Sequence, residues 1–211
     1  MTLSPQLFPI IIEAVAETIA SNSEEITALD QAIGDGDHVF NLQRGINALQ
    51  QQKDDLAQME WAPAWQKIGM TLMTTIGGAS GSLFGTLFVS MNKAARDQPI
   101  NLQSFAESFF QGVASVKLRG KADVGEKTML DVLVPVASSL QASAANSIEL
   151  LEALKSAKQE AISGAESTRD MLATKGRASF LGERTIGHID AGAKTSQLMI
   201  CAIADVIEKN I

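Results

Sequence analysis

Apolar residues recur along this chain at helical spacing, and hardly anywhere at the two-residue spacing of a strand. Leu7, Ile11, Val15 and Ile19 follow one another every four residues. They come after Ser4 and Pro5, a cap residue and then proline where a helix can begin. Trp61, Trp65, Ile68, Leu72 and Ile76 form a second stripe, and Phe105, Phe109, Val113 and Val116 a third. Leu151, Leu154, Lys158, Ala161, Ala165, Thr168 and Leu172 make a long one, with one long-stemmed lysine in the row. Leu198, Ala202 and Val206 close the chain. Val132 to Val136 reads partly as strand and holds Pro135, which costs about 3 kcal/mol in a helix interior; the spacing around it favours a kinked helix. The pattern predicts helical segments near 5–22, 24–31, 39–52, 62–76, 82–97, 102–116, 128–145, 148–173 and 192–209, an all-α chain of about eight up-and-down antiparallel helices.

The glycines change this picture locally. Eight of the sixteen fall between Gly34 and Gly85, with tight groups at Gly34/Gly36 and Gly77/Gly78/Gly81. In an up-and-down bundle, loops separated by a pair of helices lie at the same end. Loops 33–38, 77–81, 117–127 and 174–191 satisfy that relation, so all four are expected on one rim. The opposite end receives 53–61, 98–101 and 145–147, which read as plain polar turns.

Composition sets the boundaries of the reading. With 211 residues, 45% hydrophobic and 19% charged, the chain fits one domain over 1–211 and not a disordered, collagenous or coiled-coil class. Cys201 is the single cysteine, so an intramolecular disulfide or a multi-cysteine metal site is excluded, and a reducing, cytoplasmic home is expected. The net charge of −7 accumulates before Arg44, the first basic residue. No basic n-region precedes a signal segment, and the nearly apolar run Leu83 to Val89 is far too short to span a membrane. An acidic chain without a basic stripe also argues against nucleic acid as a partner.

Candidate chemistry concentrates in the four loops. Asp30, Asp35 and Asp37 stand in and before a glycine-flexed loop that can aim three carboxylates at one point, a ligand set suited to Mg²⁺. The bland alternative is a solvated turn with helix caps; mutual repulsion of three carboxylates favours the cation. Gly77-Gly78-Ala79-Ser80-Gly81 can expose backbone N–H groups to an anion, or can be a tight helix–helix turn. Loop 117–127 carries Lys117, Arg119, Lys121 and Lys127, and loop 174–191 carries Lys175, Arg177, Arg184 and His188. Such cations are usually solvated, but beside an acidic loop and an anion-type loop they fit a polyphosphate bridged by Mg²⁺. A phosphohistidine or a serine triad can be imagined on His38 or His188, but His38 directly after Asp37 is rather expected to hydrogen-bond a ligand or the acidic loop, and no GxSxG context exists for a nucleophilic serine. The eight methionines read as core filling, with Met129 a candidate for a nucleotide pocket.

These motifs together carry a resemblance. GDGDH at 34–38 with Asn41, GMT at 69–71, GGASG at 77–81, FGT at 84–86, RGKA at 119–122, GEKTMLD at 125–131 and KGRASFLGERTIGHIDAG at 175–192 resemble the L subunit of dihydroxyacetone kinase, from about Asp30 to Gly192 and in order. The resemblance implies a barrel of eight up-and-down helices with ADP, transiently ATP, and two Mg²⁺ at one rim. It implies Asp30, Asp35 and Asp37 as metal ligands. His38, Val39, Phe40, Asn41, Ala79, Ser80, Gly120, Met129, Arg177, Asp190, Ala191 and Gly192 would contact the nucleotide, with Arg177 the candidate catalytic helper. Val39 stands where the family usually has glycine, which puts a branched side chain near the phosphates, and Ala191 where it usually has proline. The implied partners are a K subunit holding dihydroxyacetone and a phosphotransferase-system M subunit that rephosphorylates the nucleotide in place. A homodimer in the free state, or a heteromer with the K subunit, is expected. The alternatives are the L subunit of an ATP-dependent kinase for another small sugar or polyol, and a non-catalytic ADP sensor that signals to a transcriptional regulator.

Overall fold

The computed structural model describes residues 3–96 and 98–211, and among them finds ten α-helices, three 3₁₀ segments and no strand. Helices α1 (Phe8–Ser21), α3 (His38–Gln50), α5 (Trp61–Thr75), α6 (Gly78–Ala95), α7 (Leu102–Gly120), α8 (Leu130–Ala145), α9 (Leu150–Ser167) and α10 (Ala191–Lys209) pack each against the next. Because α10 also packs against α1, the eight close into a barrel. Helices α2 (Ser23–Ile33) and α4 (Lys53–Ala57) sit in connections outside that ring. No helix among the described residues is long and apolar enough to cross a membrane.

The stripes over 61–76 and 105–116 are faces that meet inside, whereas α1 buries Phe8, Ile12 and Ile19 in place of the Leu7 and Ile11 of its expected stripe, and Leu151 and Leu172 at the ends of the long stripe are exposed. Ile12, Ile19, Trp65, Ile68, Leu72, Phe109, Val113 and Val116 join one buried cluster with Phe84, Leu87, Leu130, Val136 and Leu198. Where two helices press closest, side chains are absent: a Cβ on Gly69 of α5 would lie 2.8 Å from the carbonyl oxygen of Gly85 on α6. Pro135 is accommodated inside α8. Its missing N–H leaves the Asp131 carbonyl without the usual partner, and Gly164 of α9 packs against that carbonyl so tightly that a side chain would collide.

Several boundaries differ from the sequence pattern, each for a local reason. Helix α6 begins at Gly78, so Ala79, Ser80 and Gly81 form its first turn, ahead of the expected start at 82. Helix α7 runs to Gly120, where Lys121 turns left-handed at φ 49°. Helix α9 stops at Ser167, because Thr168 to Asp170 tightens into a 3₁₀ turn before Met171 becomes extended. The stretch 53–61 contains α4 in place of a plain turn, and the long loop after α9 contains 3₁₀ turns over Arg177–Thr185, broken at Gly182.

Candidate nucleotide and metal site

All four unusual loops open into one cavity of about 470 Å³ at one end of the barrel. Its floor is apolar, with Leu83, Val116 and Met129, and its rim is polar. The count of loops by helix pairs is therefore met in three dimensions.

The acidic side is built by the turn from α2 to α3. Gly34 ends α2 where a Cβ would collide with the Asp30 carboxylate, and Gly36 turns at φ 77°. Asp37 then stands at the amino end of α3. Ligand oxygens of Asp30, Asp35 and Asp37 lie within 4.8 Å of one another, Asp30 half-buried and the other two exposed. Hard oxygen donors converging in this way fit Mg²⁺. Arg177, reaching across from the long loop, pairs with the Asp35 carboxylate.

The anion side uses two helix starts. Neither α3 nor α6 has a side-chain cap at its amino end, so first-turn N–H groups of Val39 and Phe40, and of Ala79 and Ser80, carry the helix dipole without a competing side chain. Asn41, almost fully buried, packs its amide against Gly77, where a Cβ would lie 2.7 Å from Asn41 Oδ1. His38 ties the loops together. Its backbone N–H donates to Asp30 Oδ2 at 3.1 Å, and its ring sits between Ser80 Oγ (3.3 Å from Nδ1) and Thr195 Oγ1 (3.0 Å from Nε2). Thr195 Oγ1 donates to Gly192 O at 3.1 Å, so Nε2 carries the hydrogen and Ser80 donates to Nδ1. Burial pushes the His38 pKa down against the field of Asp30, Asp37 and Asp35, in keeping with this neutral form.

Asp190 starts α10 by accepting the Ala193 N–H at 2.7 Å, and burial pushes its pKa up to about 6. Gly192 lies beside Met129, and Gly120 beside Leu83, which brings the nucleoside candidates together. Two expected residues are placed otherwise as side chains. Val39 is buried in the core and absent from the cavity lining, and Phe40 is 64% exposed outside it. Only their backbone groups can serve the cavity.

The cations divide more finely than the sequence suggested. Lys117 pairs with Asp123 at 2.8 Å, Lys175 with Glu126 at 3.2 Å, and Arg119 donates to Ser82 Oγ at 2.9 Å. Lys127 is 1% exposed and gives its protons to backbone carbonyls, as the ammonium of a structural joint does. Sequence reading also passed over Asp131, which is buried and accepts N–H from Gly125 at 2.5 Å and from Thr128 at 2.7 Å. The spacing Thr128-x-x-Asp131 before an apolar run is a helix-start signal that identifies it.

Residues 32–205 match the family model described as the DAK2 domain. The chain is 41% identical over 189 residues to the ADP-binding subunit of the PEP-dependent dihydroxyacetone kinase of Escherichia coli, covering 89% of this chain and 90% of that protein. It is 36% identical over 191 residues to the ADP-binding subunit of the PTS-dependent dihydroxyacetone kinase of Lactococcus lactis, covering 90% and 92%. The dihydroxyacetone kinase of C. freundii, solved in complex with AMP-PNP and Mg²⁺, superposes with a TM-score of 0.74 at 26% identity. That match takes in 97% of this chain and 34% of the C. freundii chain, so this chain corresponds to about a third of that enzyme. Sequence and fold thus agree: the chain belongs to the DAK2 domain family, beside the ADP-binding subunits of dihydroxyacetone kinases.

Proposed function

We propose that this chain, residues 1–211 acting as one domain, is the ADP- and Mg²⁺-binding subunit of a dihydroxyacetone kinase. It would relay a phosphoryl group from a phosphotransferase-system M subunit, through bound ADP, to dihydroxyacetone held on a separate K subunit. The observation that carries the reading is the convergence of three carboxylates, two uncapped helix starts and Arg177 on one apolar-floored cavity. Relatives that align over nine-tenths of their own length and bear the ADP-binding name support it.

Each residue has a task that follows from its place. Asp30, Asp35 and Asp37 would hold two Mg²⁺. Bound there, Mg²⁺ supplies positive charge against the phosphate oxygens. The first-turn N–H groups at 39–40 and 79–80 would receive phosphate oxygens, and neutral His38 fixes the Ser80 hydroxyl between them. Arg177 offers N–H donors that Asp35 now occupies, so phosphate charge would compete for the guanidinium. Gly120, Met129, Asp190, Ala191 and Gly192 would bound the nucleoside. A general base for the acceptor hydroxyl is assigned to the K subunit, where the acceptor lies. Val39 packs into the core and does not line the cavity, which supports the catalytic reading over the non-catalytic alternative.

The test is to purify the protein without added nucleotide, denature it, and quantify released nucleotide and magnesium. About one ADP and about two Mg²⁺ per chain, retained through dialysis, are expected. An empty protein that exchanges ATP freely points to the ATP-dependent kinase, and one that binds neither overturns the proposal.

A further inference from the structure

Lys127 has no role in the reading above, yet among the described residues it is the largest of the fully buried side chains, 1% exposed, and it carries an ionisable group. Its backbone is left-handed at φ 61°, a conformation that costs a non-glycine residue about 1 kcal/mol or more and persists where the surroundings impose it. Its ammonium has three protons to give. They meet the carbonyl oxygens of Thr168 (2.5 Å), His188 (2.5 Å) and Arg169 (3.4 Å). Thr168 and Arg169 begin the long loop between α9 and α10, and His188 ends it. The same two stalks are cross-tied by Gly187 N–H donating to Arg169 O at 2.8 Å, and by Asp190 N–H donating to Thr168 Oγ1 at 3.0 Å. On the outer side, Glu126 completes the grip: its carboxylate accepts from Thr174 Oγ1 at 3.0 Å and pairs with Lys175 at 3.2 Å.

Arg177 follows two residues later. The segment that carries it contains Gly176, Gly182 and Gly187, all at positive φ and all in open space, so its own backbone does little to hold the guanidinium. The adjoining loop does that work, and that loop runs directly into Met129 at the nucleoside end of the cavity. We propose that Lys127 is a positioning residue: by clamping both stalks of the 168–190 loop to the loop that carries Met129, it sets where Arg177 stands and couples the two ends of the nucleotide cavity. The proposal rests on the nucleotide reading above for its functional consequence. The clamp itself does not.

Titration of MgADP into the wild type, Lys127→Met, Arg177→Ala and the double variant tests the coupling. Arg177→Ala is expected to weaken binding about 30-fold in the wild type and about 3-fold in Lys127→Met, a tenfold interaction within the range of such cycles. Pairing Lys127→Met with Ser80→Ala, which shares no partner with Lys127, should give additive losses. A purely structural role predicts additivity in both cycles, and that result overturns the proposal. Native-state amide exchange of the ligand-free wild type against urea gives an independent reading, valid if Lys127→Met fails to fold or if the protein binds no nucleotide. Gly125 and Thr128 on one loop, and Ala173 and Gly187 on the other, should open together with one urea slope. Opening of Ala173 and Gly187 at lower urea, while Gly125 and Thr128 stay protected, sinks the clamp.

Discussion

The two ends of the barrel are made from the same helices and are built on opposite principles. The end away from the cavity is closed by short turns, the reciprocal cap of α7 and aromatic packing. Asn101 and Ser104 cap α7 reciprocally, each side chain taking the other's N–H at 3.0 Å. Phe8, Trp61, Trp65, Phe105 and Phe109 form a row of neighbouring rings with centroids 4.6, 5.8, 6.2 and 6.0 Å apart, the first three pairs tilted and the last parallel. Trp61 Nε1 donates to Leu3 O at 2.9 Å, strapping the start of the chain across this end. The cavity end leaves the starts of α3 and α6 without a side-chain cap, gathers like charges, and buries Lys127, Asp131 and the carboxyl of Asp190. Stability is thus concentrated at one end, and groups that cost stability in the absence of a ligand at the other.

Perturbations at the two ends should separate accordingly. Trp65→Ala removes the middle of the aromatic stack and should lower unfolding free energy by about 4 kcal/mol; MgADP affinity of the folded fraction, read by titration, should be unchanged. Asp190→Asn keeps a competent cap but removes a buried charge. The Asp190 pKa is raised, to about 6 from an ordinary 3.8, so its carboxyl is protonated in both states below pH 4. As pH rises from about 4 to about 6 the unfolded state ionises while the folded state keeps its proton, so stability falls by about 3 kcal/mol relative to the low-pH limit and levels off above pH 6. Urea melts without nucleotide should therefore show Asp190→Asn gaining on the wild type by about that amount between pH 3 and pH 6.5. Asp35→Asn should weaken MgADP about 100-fold, or about 2.7 kcal/mol, with little change in the urea midpoint of the ligand-free protein. Wild-type affinity in that variant would remove Asp35 from the metal site. Asn101→Ala should cost about 1 kcal/mol in melts and nothing in binding.

The same contrast explains what could be read without coordinates. Helices were legible because a stripe such as Trp61, Trp65, Ile68 and Leu72 has one interpretation, and the parity of the connections then put four loops on one rim. The membership of the barrel was less so: α2 shows the periodicity of a barrel helix, and only packing reveals that α1 joins α3 directly. The start of α6 was hidden because glycine, alanine and serine spell a loop and, under tertiary constraint, also a helix turn that exposes its N–H groups. Lys127 was misread with its neighbours as a phosphate-facing cation. Charge in a sequence is silent about burial, and three carbonyls from a loop 41 to 61 residues away decide the matter.

The aromatic stack has an experimental corollary. The chain has two tryptophans and no tyrosine, and both indoles lie in that stack, a barrel's length from the cavity. Its ultraviolet emission is therefore a built-in gauge of the closed end. A titration followed by that light would stay flat while ligand fills the other end, and a thermal scan would register the strap and stack coming apart.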